Sequence, residues 1–517
     1  MAGTNDRRLC GRDDRPFRHP RAPTAHRRLP HAGRWLAVLA IVGVLLAAPS
    51  PARSSEAAGR ADARTLALAA GWKAGFLCSG TFVAGLTERQ IAETDLAGGY
   101  PELQPQLERL PARIVQDRGM ARVEVMFDPA LPPRIARYTP GRGCTQLPVG
   151  ARADAVRLPP ALEGMPDLKA ADARPWPLGD ARADAKLAGP RRKALQAVVD
   201  KAFATDAYGA GTRTSALLIV LDGRIVAERY RPGFTRHTPQ RTWSVAKSLT
   251  SALAGRAAML GLVDVGRPAT IGEWRADGDP RAAITLDQLL RMQSGLWTNG
   301  PGNRSDAVYF GGATVTETAT AAPLEAAPAS RFRYSNNDSM LAAHAISSML
   351  GRAAPDFPAR ELLWPLGMTR TTAETDWKGN FILSSQVWMT ARDMARLALL
   401  HLNDGMVGQT RLLPRGWVAA ATSPVGPQPE PGTSGSARPG RQGYGRAIWL
   451  LGNGDGLPPG SYAFLGNRGQ IAIIVPARNL VVVRRGFDLH GVAFDGPALA
   501  KDVLAAIGEQ GGHTASW

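Results

Sequence analysis

The pattern of apolar and polar positions predicts regular structure from residue 64 onward. Residues 64–78 are rich in Ala and Leu, and Thr87 with Gln90 three positions later is a capping-box signature, so two helices are expected early in the chain. Short alternating runs then predict a small antiparallel sheet, in residues 112–115, 121–127 and 135–138. We therefore interpret residues 53–155 as an N-terminal accessory region.

A second block follows residues 156–189, which are rich in Pro, Asp and Ala and are interpreted as a linker. It opens with an amphipathic helix at 191–203 and a hairpin at 214–230 around Asp222-Gly223. Further helices are expected at 286–293, 339–350, 356–363, 391–403, 414–421 and 497–507, and strands at 444–451, 471–475 and 480–484. This order predicts one α/β (α+β) domain over residues 190–510, with an antiparallel sheet that is split in sequence.

Residues 241–255 carry the first candidate chemistry. Ser244 and Lys247 are three positions apart, so on a helix they share one face and the lysine Nζ can reach the serine Oγ. The apolar residues around them predict a largely buried helix, and burial lowers the pKa of a lysine, which can then act as a base. The spacing is weak on its own, because an ordinary serine and an ordinary surface lysine produce it too.

Two downstream segments add to this pair. Tyr334 and Asn336 precede a predicted helix, where both can aim into one cleft. A tyrosine with a pKa of about 10 relays protons only if nearby positive charge lowers that value, and Lys247 would supply the charge. Asn336 can donate to a substrate carbonyl and accept from the lysine. Glycines such as Gly466 allow close backbone approach, so an N–H at this strand edge and the N–H of Ser244 would form an oxyanion hole.

In this order, Ser244-x-x-Lys247, Tyr334-Ser-Asn336 and the Gly466 strand motif resemble the serine β-lactamase and penicillin-binding-protein superfamily. The pattern is similar to the class C-like branch, with its esterases and 6-aminohexanoate-dimer hydrolases. The resemblance implies an antiparallel sheet flanked by helices, with a helical subdomain beside the active site. It implies that Ser244 is the acylated nucleophile, Lys247 its base and Tyr334 the proton relay. Asn336, Gly466 and Asn467 would contact the substrate.

One departure from that family bears on the substrate. β-Lactamases and peptidases carry Lys-Thr-Gly, or His in some relatives, where this chain has Phe464-Leu465-Gly466. Loss of the cation that receives a substrate carboxylate favours an ester or amide hydrolase acting on a small molecule. A β-lactamase or D,D-peptidase remains an alternative, as does a catalytically inactive exported binding or sensor protein on the same scaffold. A Ser-His-Asp α/β-hydrolase is disfavoured, because the chain has no G-x-S-x-G elbow.

Charge and the N-terminus indicate where the protein acts. The net charge is +18, but residues 1–52 contribute nine Arg against three Asp, and the remaining basic residues form no run that would mark a nucleic-acid groove. Basic residues, the apolar run 35–48 and small residues follow one another, which predicts a signal peptide over 1–52. We expect an exported protein, periplasmic or secreted, that contacts the membrane only through this segment if it is uncleaved.

The mature chain would keep two cysteines, Cys78 and Cys144, and in an oxidising compartment we expect a disulfide between them; two buried free thiols are the alternative. No Cys/His cluster has zinc spacing, and neither a metal nor a cofactor is predicted. The single histidines are interpreted as surface or core residues: His237, His344 and His401. Three aromatic residues are interpreted as packing residues that could instead line a cleft: Trp297, Trp388 and Tyr444.

Overall fold

A computed structural model describes residues 62–117, 119–181, 187–298, 304–430, 443–452 and 455–508. The predicted signal peptide lies outside these residues. The described residues belong to one compact unit that begins at Ala61. No helix among them is long and apolar enough to cross a bilayer.

The N-terminal region consists of helices and a four-stranded antiparallel sheet in the order β1-β2-β3-β4. Its elements are α1 (Ala63–Phe82), α2 (Glu88–Glu93), α3 (Gln104–Arg109), β1 (Ala112–Asp117), β2 (Met120–Val125), β3 (Arg134–Thr139) and β4 (Gly143–Gln146). Thr87 and Gln90 form the predicted capping box of α2. Cys78 and Cys144 form the predicted disulfide, which joins α1 to β4 across a Cα–Cα distance of 6.1 Å.

A seven-stranded antiparallel sheet forms the centre of the following part, in the order β12-β13-β14-β15-β16-β5-β6. Its strands are β5 (Thr214–Leu221), β6 (Arg224–Tyr230), β12 (Gly443–Tyr444), β13 (Trp449–Leu450), β14 (Tyr462–Gly466), β15 (Gln470–Val475) and β16 (Leu480–Gly486). The mixed architecture of helices around an antiparallel sheet confirms the predicted fold class.

All eight residues of β5 are buried, because both faces of the sheet are covered. Leu217, Ile219 and Leu221 face a core that they form with the helices at residues 189–203 and 496–507. The alternate residues, such as Leu218 and Val220, face the larger core. The helices of this part are α4 (Leu168–Ala173), α5 (Gly189–Phe203), α6 (Val245–Met259), α7 (Leu286–Leu290), α8 (Asp306–Tyr309), α9 (Val315–Thr318), α10 (Asn336–Leu350), α11 (Ala391–Leu402), α12 (Trp417–Ala421) and α13 (Gly496–Ile507).

Short strands connect the helical part to the nucleophile segment. One three-stranded sheet has the order β7-β9-β8, and a separate hairpin pairs β10 with β11. The strands are β7 (Gln240–Arg241), β8 (Thr372–Ala373), β9 (Val387–Met389), β10 (Met406–Val407) and β11 (Thr410–Arg411).

Several predicted boundaries were wrong, each for a local reason. The helix expected at 286–293 ends at Leu290, and Met292 has a φ of +60°. The single strand expected at 444–451 is two short strands, because Ala447 adopts a φ of +56° between them. The segment expected as a helix at 356–363 has π-helical hydrogen bonding over Pro358–Leu363. The linker interpretation of residues 156–189 stays a prediction, and α4 lies within this segment.

Candidate active site

The nucleophile segment is a tight turn between a strand and a helix. β7 ends at Arg241, and α6 begins at Val245 with Ser244 as the residue that precedes its first turn. Trp243 has a φ of +50°, a conformation that is uncommon for a bulky residue and that usually marks a functional or strained position. Ser244 is partly exposed, whereas Thr242, Trp243 and Val245 are buried. The turn thus presents the serine at the mouth of a buried helix.

Lys247 lies one helical turn further on and connects three separate segments. Its Nζ donates to Ser244 Oγ at 3.1 Å, to Asn336 Oδ1 at 2.7 Å and to the Ser384 carbonyl at 2.8 Å. The side chain is 1% exposed, and burial lowers its pKa to about 7. A neutral lysine at this distance can accept the serine proton.

Tyr334 and Asn336 reach the same place from the start of α10. The helix begins at Asn336, three residues earlier than predicted, because Ser335 caps it by accepting from the N–H of Asp338. The Tyr334 ring centroid lies 5.0 Å from Lys247 Nζ. The ring is half-buried and packs against Tyr444 and Trp449, at centroid distances of 5.9 and 5.5 Å. The structure therefore brings Ser244, Lys247, Tyr334 and Asn336 together.

Gly466 ends β14 directly against the nucleophile turn. A Cβ atom at this position would lie 2.3 Å from the Thr242 carbonyl oxygen and 3.2 Å from the backbone nitrogen of Ser244. Only glycine fits such a close approach of two backbones. Asn467 follows in an exposed turn, and its Oδ1 accepts from the Arg468 N–H at 2.9 Å. The end of β14 therefore lies next to the backbone nitrogen of Ser244.

The side chain at position 464 offers nothing polar to the cleft. Phe464 is completely buried on β14, and its ring packs against His401 with a centroid distance of 4.9 Å. The phenyl group therefore belongs to the core. At this position the strand therefore lacks the lysine or histidine that the sequence analysis expects of a β-lactamase or peptidase.

The other aromatic and histidine candidates fall outside the group around Lys247. Trp388 is a core residue whose Nε1 donates to Glu374 at 3.2 Å, and Trp297 is 41% exposed. Tyr444 is buried behind Tyr334. His237 lies beside Asp172 and Asp180, His344 bonds Asn380 and Glu273, and His401 bonds the Leu397 carbonyl.

Two contributors to the site carried no sequence signal. The Ser384 carbonyl is a backbone acceptor from a loop 137 residues away from Lys247. Arg241 is buried, donates to Ser385 Oγ at 2.7 Å and lies over the rings of Trp243 and Phe76, at 4.2 and 4.8 Å. Arg241 therefore supports both the nucleophile turn and the loop that holds Lys247.

A comparison with models of known protein families identifies the family of this chain. The beta-lactamase family model matches residues 199–485, which is more than half of the chain. The chain belongs to the beta-lactamase family. Its catalytic fold is thus that of a family of serine hydrolases, as the sequence motifs predicted. No match was found among curated proteins.

Solved structures with similarity to the chain are distant in sequence. A Bacillus anthracis protein assigned as a 6-aminohexanoate-dimer hydrolase is 21% identical, with a TM-score of 0.48 over 62% of this chain and 85% of that one. A family VIII carboxylesterase is 14% identical, with a TM-score of 0.47 over 62% and 98%. A class C beta-lactamase is 12% identical, with a TM-score of 0.47 over 62% and 97%.

Proposed function

We propose that the protein is an exported serine hydrolase that cleaves an ester or amide bond of a small molecule through an acyl-enzyme on Ser244. One observation carries the proposal: a buried lysine with a pKa near 7 donates to the Oγ of a partly exposed serine at 3.1 Å. This pairing gives the serine a base whose neutral form is well populated near pH 7.

The first half of the reaction forms the acyl-enzyme. Ser244 Oγ attacks the substrate carbonyl carbon while its proton passes to Lys247 Nζ. The negative charge that develops on the carbonyl oxygen is stabilised by the Ser244 N–H and an N–H at the end of β14, at Gly466 or Asn467. As the intermediate collapses, the carbon–leaving-group bond breaks and the departing oxygen or nitrogen takes a proton, with Tyr334 as the relay from Lys247.

The second half restores the enzyme. A water molecule gives a proton to the same relay and attacks the acyl carbon, and the bond to Ser244 Oγ breaks as the serine regains its hydrogen. Asn336, which accepts from Lys247 at 2.7 Å, orients both the lysine and the substrate. Phe464 and its buried position support the choice of an ester or amide over a β-lactam or a peptide with a free carboxylate.

Export is supported by two features of the chain. The basic, apolar and small-residue order of residues 1–52 is that of a signal peptide, and the Cys78–Cys144 disulfide fits an oxidising compartment.

A substrate panel with two serine variants tests the activity. We expect the mature protein to hydrolyse short-chain p-nitrophenyl esters faster than a chromogenic cephalosporin. Ser244→Ala should lower kcat by at least about 10³-fold, since the nucleophile is removed. Ser248→Ala is the control, because Ser248 lies on the same helix but donates to the Ala447 carbonyl, and its kcat should stay within about 3-fold.

The same experiment separates the alternatives. Peptide mapping after fluorophosphonate treatment should find the label on Ser244. Faster turnover of the cephalosporin or of D-Ala-D-Ala peptides than of the esters would support a β-lactamase or D,D-peptidase instead. Absence of both label and turnover on esters, cephalosporins, peptides and linear amide oligomers would support the non-catalytic binding protein.

A further inference from the structure

The N-terminal region reaches the catalytic site through the turn that follows Gly466. Arg468 lies in this turn and is 5% exposed, with its side chain directed into the N-terminal segment Thr94–Ala97. Its guanidinium donates to five backbone carbonyls, those of Thr94, Asp95, Ala97, Phe487 and Asp488, at distances of 2.6–3.3 Å. Three of the five acceptors therefore belong to the N-terminal region.

These hydrogen bonds hold a backbone conformation that the turn would not otherwise keep. Arg468 has a φ of +57°, a left-handed conformation that is unfavourable for a residue with a Cβ, and it is followed by Gly469 at +77°. The Arg468 carbonyl is fixed as well, since Gln470 Nε2 donates to it at 3.2 Å. Gly466 and Asn467, the candidate oxyanion-binding edge, directly precede Arg468, so this bonding fixes the residue next to that edge.

The N-terminal region also supplies a charge at the same place. Arg241, Arg468 and Arg485 are buried, and among the described residues none of them forms an ion pair with a carboxylate. Asp95 is 2% exposed and Oδ2 of its carboxylate has no hydrogen-bond partner. Burial raises the pKa of Asp95 to about 6, and the charges of these three arginines oppose that rise. Asp95 is thus a carboxylate whose charge acts on all three arginines, which lie on both sides of the nucleophile turn.

The segment before Ser244 also contacts the N-terminal region. Phe76 of α1 packs against Trp243 and lies under the Arg241 guanidinium, with distances of 6.1 Å between ring centroids and 4.8 Å to the guanidinium carbon. Arg485 joins the two sides, because it donates to the Gln240 carbonyl at 2.8 Å and to Gln470 Oε1 at 2.6 Å. The N-terminal region therefore contacts the segments before Ser244 and after Gly466.

We propose that Arg468, held by residues 94–97, is a positioning residue that sets the oxyanion-binding edge of β14 against Ser244. The N-terminal region is then a working part of the hydrolase and not a separable module. This inference rests on the proposed function, since it assigns the region a role in the same reaction.

A pair of arginine variants in the full mature chain tests the proposal. Arg468→Lys keeps the charge but loses most of the five hydrogen bonds. We expect kcat for a p-nitrophenyl ester to fall about 30- to 100-fold with KM within about 3-fold, because transition-state stabilisation is lost and substrate binding is not. The rate of fluorophosphonate labelling at Ser244 should fall by the same factor.

Arg134→Lys is the matched control. Arg134 is also completely buried in the N-terminal region and donates to three carbonyls, those of Ala67, Leu147 and Phe310. Its variant should lose thermal stability while kcat per labelled site stays within about 3-fold. Equal kcat values for the two variants would overturn the positioning role, since both would then be merely structural.

A milder variant covers the case in which Arg468→Lys does not fold. Asp95→Asn keeps the shape and removes the carboxylate charge, and we expect a kcat decrease of about 3- to 10-fold with KM unchanged. An unaltered kcat in this variant would likewise overturn the proposal. Failure of the unaltered protein to label at Ser244 is a different result, because it would refute the proposed function itself.

Discussion

Two buried arginines of α11 and the buried Lys247 differ in their counter-charges. Arg392 and Arg396 of α11 each have side chains that are 3% exposed and paired with carboxylates: Arg392 with Glu228 at 2.5 Å, and Arg396 with Asp180 at 2.6 Å and Asp393 at 2.7 Å. Lys247 is equally buried, but its three acceptors are a hydroxyl, an amide oxygen and a backbone carbonyl. The two arginines are thus neutralised by carboxylates, and the lysine is not.

The difference appears in the pKa values. Burial lowers the pKa of Lys247 to about 7, because no carboxylate stabilises its charged form. Burial acts in the same direction on Arg392, but its hydrogen bonds to Glu228 and the charges of Glu228 and Asp180 outweigh that effect and raise its pKa. Arg392 therefore stays charged and is structural, whereas Lys247 can exchange a proton near neutral pH.

The same comparison explains a cluster that has the shape of a metal site. Asp172, Asp180 and His237 have ligand atoms within 4.8 Å of one another. However, Arg370 pairs with Asp172 through two bonds of 2.5 and 2.7 Å, and Arg396 pairs with Asp180. Because the carboxylates already face arginines, a divalent cation would meet neutralised ligands and nearby positive charge. We interpret this cluster as part of the structural ion-pair network.

The largest expected effect comes from removing the unpaired cation. Lys247→Met should lower kcat for a p-nitrophenyl ester by about 10³-fold or more, since the serine loses its base. In the unaltered protein, kcat/KM should fall as the pH is lowered through about 7, where Lys247 becomes protonated. Steady-state kinetics between pH 5 and 9 would measure both effects, and Lys193→Met, an exposed lysine of α5, is the control. A profile without an acid limb would contradict the role of Lys247 as base.

The sequence was sufficient to predict the parts of this site that depend on local spacing. Ser244 and Lys247 are one helical turn apart, and Tyr334 and Asn336 are two positions apart at a helix start, so few long-range contacts were needed to infer them. The fold class and the disulfide were also predicted, from hairpin spacing and from the export context. The assignment of catalytic roles to these residues stays a prediction.

The supporting contacts could not be predicted, because they join residues far apart in sequence. Arg468 bonds carbonyls more than 370 positions earlier, and a backbone carbonyl such as that of Ser384 has no residue-type signal at all. Residues 53–155 were interpreted as an accessory region for the same reason. Their contacts with the nucleophile and oxyanion segments become visible only when the chain is folded.

A smaller but still substantial effect is expected in the paired group. Arg396→Met should destabilise the protein by about 3–5 kcal/mol, because Asp393 is left buried without its cation and Asp180 keeps only the longer contact to Arg392, at 3.3 Å. Chemical denaturation of the unaltered and variant proteins would measure the loss. Arg89→Met is a suitable control, since the Arg89–Glu93 pair lies on an exposed helix surface and should contribute less than about 1 kcal/mol. Similar losses in the two variants would contradict the expectation that removing one partner of a buried ion pair costs more than removing one partner of an exposed pair.

The smallest and most specific effect is the pH dependence of stability at Lys247. The pKa of this lysine is about 7 in the folded protein and 10.5 in the unfolded reference, so the unfolded chain binds more protons between these values. The stability cost of Lys247 is therefore complete below pH 7 and disappears as the pH rises toward 10.5. Lys247→Met removes this cost, and its Tm should exceed that of the unaltered protein by about 1–3 °C at pH 6.5. The difference should shrink as the pH approaches 10, because the unfolded chain then gains little by protonating the lysine. A Tm difference that stays constant from pH 6.5 to 10 would show that Lys247 keeps its charge in the folded protein, and the contrast with Arg396 would then rest on geometry alone.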